Sequence, residues 1–210
     1  TVHTAFNHPI VVAKQLATLD LLSNGRIGLN VVAGWNKPEY DAFGVDLPSE
    51  HSDRYAMAQE WFDYVTRLWK EDHAFDWDGT FFRGKGVYGR PHPIQSRIPV
   101  INAAASEEGR AFAMRNADFL FTPVFDFDQA KTTVDEISQK SASVGRDVNV
   151  LTFCTVVCRP TQQEAEDYLH WYANENADWD AVDNLMTLQG MHAQSFTKEA
   201  LSMFRDRFAA

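Results

Sequence analysis

The stretch Ile27-Gly28-Leu29-Asn30-Val31-Val32-Ala33-Gly34-Trp35-Asn36-Lys37-Pro38-Glu39-Tyr40 decides how the chain is read. A strand's period of two puts Ile27, Leu29, Val31 and Ala33 on one face and Gly28, Asn30 and Val32 on the other. This places Asn30 on a buried face. An unpaired buried amide costs about 1–3 kcal/mol, so Asn30 is expected to have partners there. The strand ends at Gly34, and loops leaving the carboxyl ends of strands are where α/β proteins concentrate function. Asn30, Trp35 and Glu39 are therefore candidates. The plainer alternatives stay open: an amide satisfied by neighbouring backbone, and a solvated Glu39 paired with Lys37 or Arg54.

On either side of this stretch, strand-like and helical patterns alternate. Gly28–Val32, Ile98–Ala103, Phe119–Thr122 and Val148–Val157 read as strands, each followed by a polar or amphipathic run, which is the rhythm of a parallel sheet. A first helix is capped by Asn7 or His8, has Pro9 at its first position, and stops near Gly25. A second runs from about Ser52 to Lys70 with Tyr55, Ala58, Phe62, Val65 and Trp69 on one stripe. Aromatic residues among Gly79, Gly84, Gly86 and Gly89 point to a hairpin-like insertion over 73–97. Residues 162–210 read as a helical, acidic insertion or lid within a single domain spanning 1–210.

With 45% hydrophobic and 13% aromatic residues among 210, the chain can bury a sizeable core. The net charge of −10 comes with scattered basic residues, which argues against a nucleic-acid surface. No apolar run approaches the roughly 20 residues of a membrane span. Cys154 and Cys158, placed in the last strand, would stand roughly 13 Å apart and could not pair, which suits a reducing cytoplasm. No histidine spacing implies a metal.

Two further constellations matter. Asp53-Arg54-Tyr55 opens the second helix; Arg54, reaching outward with Tyr55, would clamp a phosphate, or it is an ordinary surface arginine. Ser106 follows Val100-Ile101-Asn102-Ala103-Ala104-Ala105 and starts a helix, where amides and dipole hold an anion, although a plain N-cap explains it equally. Asp20 and Arg26 are expected to pair across a turn. Among the histidines, only His3 and His8 fall near the carboxyl edge, as weaker substrate-site candidates.

In order and spacing, Pro9…Ala13-Lys14…Ala17-Thr18-Leu19-Asp20…Ser23-Asn24-Gly25-Arg26…Asn30-Val31-Val32-Ala33-Gly34-Trp35…Glu39…Phe43-Gly44…Arg54-Tyr55…Glu60…Leu68-Trp69 resembles the bacterial-luciferase-like FMN monooxygenases. The motif is most similar to the pyrimidine-ring-opening, dimethyl sulfone and alkanesulfonate group. The resemblance implies a (β/α)8 TIM barrel, incomplete in this chain and spanning about strands three to seven, since a barrel takes about 250 residues. It also implies a two-component enzyme that oxidises a small heterocyclic or organosulfur substrate with FMNH2 and O2. A separate NAD(P)H:flavin reductase would supply the FMNH2, and the enzyme would be a cytoplasmic homo-oligomer. Asn30 would meet the reactive edge of the flavin, Trp35 would form a wall, Glu39 would lie at the flavin, and Arg54, Tyr55 and Ser106 would hold its phosphate. The Ala103-Ala104-Ala105 run departs from the glycine-rich approach frequent in the family. Phe153 and Thr155 stand where the sulfonate enzymes have Arg and His, which speaks against a sulfonate substrate. Alternatives are hydride transfer with a deazaflavin, or a non-catalytic flavin-binding paralogue.

Overall fold

The computed structural model describes residues 1–124 and 127–192, with side chains to 188. Its contacts divide the chain into two units, Thr1–Thr152 and Phe153–Ala210.

The first unit is built on a five-stranded parallel sheet in the order β1-β2-β5-β6-β7. Its strands are β1 (Val2–His3), β2 (Leu29–Val32), β5 (Val100–Ala103), β6 (Phe119–Phe121) and β7 (Asn149–Leu151). Five helices connect them: α1 (Pro9–Ser23), α2 (Lys37–Ala42), α3 (His51–Lys70), α4 (Glu107–Asn116) and α5 (Phe127–Ser143). A separate antiparallel pair, β3 (Phe75–Asp78) and β4 (Arg83–Val87), forms a hairpin within 73–97. Strand neighbours follow chain order apart from this hairpin, as in a singly wound barrel, and among the described residues β1 and β7 are the outer strands.

Two expectations about strands need correction. Four strands were read from the sequence; Val2–His3 is a fifth, too short for any periodicity to reveal. The last strand covers only Asn149–Leu151 rather than Val148–Val157, because a strand persists only where a neighbour takes up its backbone groups. Cys154 and Cys158 consequently lie outside any strand, as exposed free thiols.

Leu29, Val31, Val100 and Leu120 pack against the helices with Val12, Leu16, Trp61, Val65, Leu68 and Phe112. Full burial of each large apolar side chain contributes about 1.5–3 kcal/mol. Trp61 and Trp69 find acceptors for their indole N–H groups at Asn7 O, 2.7 Å, and Ala13 O, 3.0 Å, which binds α3 to the start of α1. The opposite face carries Asn30, Val32, Ile101, Phe119 and Phe121, all only half-buried. Asn30 thus lies on the face left uncovered by helices, not on the packed one. In a closed barrel that face is the lumen.

Glu60 of α3 clamps the hairpin tip, accepting from Thr80 N (2.9 Å), Phe81 N (3.0 Å), Phe82 N (2.9 Å) and Trp77 Nε1 (3.2 Å). Partial burial pushes its carboxyl up, but these donors outweigh it and hold it below the usual glutamate range. A depressed pKa stabilises the fold above the unfolded value and loses that contribution as pH falls through the folded value. Glu60→Gln is expected to speed amide exchange at Thr80–Phe82 at neutral pH. In the unaltered chain the same amides are expected to lose protection only once the pH falls below the ordinary glutamate range. Unchanged exchange in the variant would exclude the clamp.

The second unit begins with an exposed irregular segment. It continues through α6 (Gln162–His170), a π-helical turn (Trp171–Glu175) and α7 (Trp179–His192). Thr161 caps α6, exchanging hydrogen bonds with Glu164, and Arg159 lies 3.6 Å over the Tyr168 ring. The remainder of the 162–210 stretch lies outside the described residues.

Candidate active site

The carboxyl ends of β1, β2 and β5 gather most of the candidates. Asn30 Nδ2 donates to Thr1 Oγ1 at 3.1 Å. Its Oδ1 is inaccessible and has no partner among the described residues, so only half of the expected satisfaction is present. Past the strand, Gly34 takes φ +114, Trp35 is 46% exposed, and α2 begins. Glu39 is exposed in the first turn of α2, while Lys37 pairs with Asp41 and so does not serve Glu39.

Arg54 differs from expectation. It is buried, and its NH1 donates to Pro48 O and Ser49 O at 2.9 and 3.0 Å. Instead of reaching outward, it fastens the loop between α2 and α3. A first-turn position on an amphipathic helix made it look like a surface residue; the loop folding back over the helix buries it.

Tyr55 and Ser106 do meet. Ser106 caps α4, its Oγ accepting from Gly109 N at 3.2 Å, and its hydroxyl faces the Tyr55 phenol. Burial and then the Glu108 carboxylate push the Tyr55 phenol up, against Arg54 and Ser106. Gly109, not singled out from sequence, makes the approach feasible: a Cβ there would fall 2.5 Å from Tyr55 Oη and 2.6 Å from Ala104 Cβ. Beside this cluster a groove between α3 and α4 is walled by Glu60, Asp63 and Glu108 against Arg115, so that its balance is acidic and unfavourable to an anion. Glu108 is offset by His51, whose Nδ1 lies 3.1 Å from Oε2.

His3 also belongs to this edge, bonded to Tyr40. His8, by contrast, is the N-cap of α1, accepting from Ile10 N at 3.3 Å. At the opposite end of the sheet Asp118 binds Arg97, Arg146 and Val100 N, a structural knot remote from the carboxyl ends. Asp20 does not pair with Arg26; it accepts from Ile94 N, Gln95 N and Gln95 Nε2, while Arg26 donates to Ser23 O. Among the described residues no group of His, Cys, Asp and Glu could hold a metal ion, and no helix is long and apolar enough to cross a membrane.

A one-layered parallel sheet with its polar candidates at the carboxyl edge defines a barrel-type α/β protein. The model of the luciferase-like monooxygenase family matches residues 1–206, and the chain belongs to that family. It is 35% identical over 162 residues to an FMNH2-dependent dimethylsulfone monooxygenase of Pseudomonas putida, covering 77% of this chain and 44% of the relative. It is 31% identical over 199 residues to the pyrimidine monooxygenase RutA of Acinetobacter baylyi, covering 93% and 53%. A solved structure of riboflavin lyase with modified FMN and riboflavin superposes with a TM-score of 0.74 at 28% identity, covering 80% of this chain and 43% of that one. The chain spans about half the length of the curated relatives it matches.

Proposed function

We propose that the protein takes part in oxidising a small organic molecule with reduced FMN and O2, the flavin lying along the carboxyl edge of β2 and β5. The observation that carries this reading is Asn30 Oδ1, shielded and without a donor, on the uncovered face just short of the strand's end. Reduced flavin offers ring N–H groups of the kind this oxygen lacks. Val32, Ile101 and Phe121 offer apolar ground for a planar ring on the same face. Ser106 Oγ and Tyr55 Oη, brought close by Gly109 at the start of α4, are hydroxyls of the kind that would hold a phosphate. The names of the relatives support the same cofactor.

Bound there, reduced FMN would supply the electrons that activate oxygen. The chain's own residues bind and orient. Asn30 holds the ring edge, Ser106 and Tyr55 hold the phosphate, Trp35 walls the opening, and Glu39 approaches from α2. Arg54 acts through the loop it fastens. A separate NAD(P)H:flavin reductase as partner fits a site that takes flavin already reduced. The free thiols of Cys154 and Cys158 favour a cytoplasmic setting. The outward apolar side chains of α1, Val11, Leu19 and Leu22, favour a homo-oligomer.

The test is flavin binding followed by fluorescence quenching. The unaltered chain is expected to bind FMN more tightly than riboflavin. Ser106→Ala and Tyr55→Phe should each weaken FMN by about tenfold, the worth of one charge-assisted hydrogen bond, and leave riboflavin unchanged. Equal losses for both flavins would place the phosphate elsewhere, and preference for a deazaflavin over FMN would favour hydride transfer instead.

A further inference from the structure

His3 and Tyr40 form a pair at the carboxyl edge that the flavin reading leaves unused. The register of His3 with Val32 puts the imidazole on the uncovered face, which is also the face of Asn30. By that register Thr1 lies beside Asn30, whose Nδ2 it accepts from, so His3 stands one pleat nearer the edge. Its Nδ1 is 2.9 Å from Tyr40 Oη.

Chemistry sets the direction of this bond. Tyr40 has no exposed surface, and His3 is the sole hydrogen-bond partner of its hydroxyl among the described residues. Were Nδ1–H the donor, the phenol's own proton would be stranded in the core; with the phenol donating, only a lone pair is left over. Burial, then Glu39, push the phenol up to about 12 against Arg54, so it keeps its proton. An Nδ1 that accepts leaves the neutral imidazole protonated at Nε2.

The surroundings hold this arrangement. Phe6 stacks on both rings, 4.1 Å from Tyr40 and 5.3 Å from His3. Gly34 clears the space: a Cβ there would lie 2.6 Å from Tyr40 Oη. Apart from Thr1, the neighbours of His3 and Asn30 on the uncovered face include the apolar Val32, Ile101 and Phe121.

We propose that Tyr40 is a positioning residue that holds His3 in its Nε2–H tautomer, and that His3 uses this N–H, beside Asn30, as a neutral donor to an acceptor atom of the flavin ring. The proposal rests on the flavin reading above. A ring carbonyl or ring nitrogen is the matching chemistry, so the phosphate plays no part in this contact.

Long-range proton–nitrogen correlation on the full chain carrying nitrogen-15 histidine, without flavin and above neutral pH, should show His3 as the Nε2–H tautomer. In Tyr40→Phe it should become a mixture. His3→Ala is expected to weaken FMN and riboflavin alike, by about tenfold for one lost donor. His3→Gln, which retains an N–H at a similar reach, should recover most of that loss. This common effect on both flavins separates the pair from Ser106 and Tyr55. An Nδ1–H tautomer in the unaltered chain, or unchanged flavin affinity in His3→Ala, overturns the proposal. If the unaltered chain binds neither flavin, the donor role falls together with the preceding reading, while the tautomer is still decided by the resonance measurement.

Discussion

Asp20→Ala is expected to lower stability by about 3–5 kcal/mol, measured by urea unfolding, because it strands several donors at once. Asp20 is 0% exposed in the last turn of α1. Its Oδ2 accepts from Ile94 N at 2.8 Å and Gln95 N at 2.9 Å, and its Oδ1 from Gln95 Nε2 at 2.7 Å. Gln95 Nε2 also donates to Ile27 O at 3.1 Å, so the carboxylate joins the end of α1, the approach to β2 and the loop before β5. Alanine leaves two backbone N–H groups and a side-chain amide without the acceptor that joins them. Asp20→Asn keeps one acceptor oxygen and should cost clearly less. A loss under about 1 kcal/mol for the alanine variant would mean that the loop reorganises freely, contrary to this account.

Gly34→Ala is the second large effect, about 2–4 kcal/mol, combining backbone strain with a steric conflict. At φ +114 an L side chain is strained, and its Cβ would meet Tyr40 Oη at 2.6 Å and Leu47 Cδ1 at 2.7 Å. Leu47 is half-buried and can turn its side chain aside, but Tyr40 is fully buried and does not yield readily. Gly44 is the matched control. It too has a positive φ, +66, but nothing lies within 4 Å, so Gly44→Ala should cost only about 1 kcal/mol of strain. Equal losses at both positions, by urea unfolding, would remove the steric part of the argument.

Much of the fold was legible because its signals are local. Pro9 and Gly25 announced the ends of α1, which the structure closes one residue earlier with an αL Asn24, and the stripe through Ala58, Phe62 and Val65 announced α3. The hairpin showed itself through glycines spaced among aromatics. What escaped was non-local. Two residues such as Val2–His3 become a strand only because β2 supplies partners, and no pattern in a two-residue segment encodes that. The face of Asn30 was misjudged because alternation tells which residues share a side, not which side the helices cover.

The candidate site divides along the same line. Ser106 was readable as a cap, and the resemblance set it beside Tyr55 only as a second expected holder of one phosphate, not as its neighbour. Gly109 was overlooked because its reason for being glycine is a tyrosine more than fifty positions earlier. Arg54 looked like a free cation in a first helical turn; only the return of the loop at Pro48 and Ser49 turns it inward. Tyr40 carried no local signal at all, since its importance lies in what its hydroxyl touches.

The chain-order sequence of strands has a consequence for growth of the sheet. Each strand's neighbours are the ones made just before and just after it, so a further strand and helix joining at β1 or at β7 would break no existing pair. The architecture is therefore additive, like courses laid one against the last. An outer strand that no such course has met would present amides and carbonyls that are sticky toward any extended chain, its own kind included.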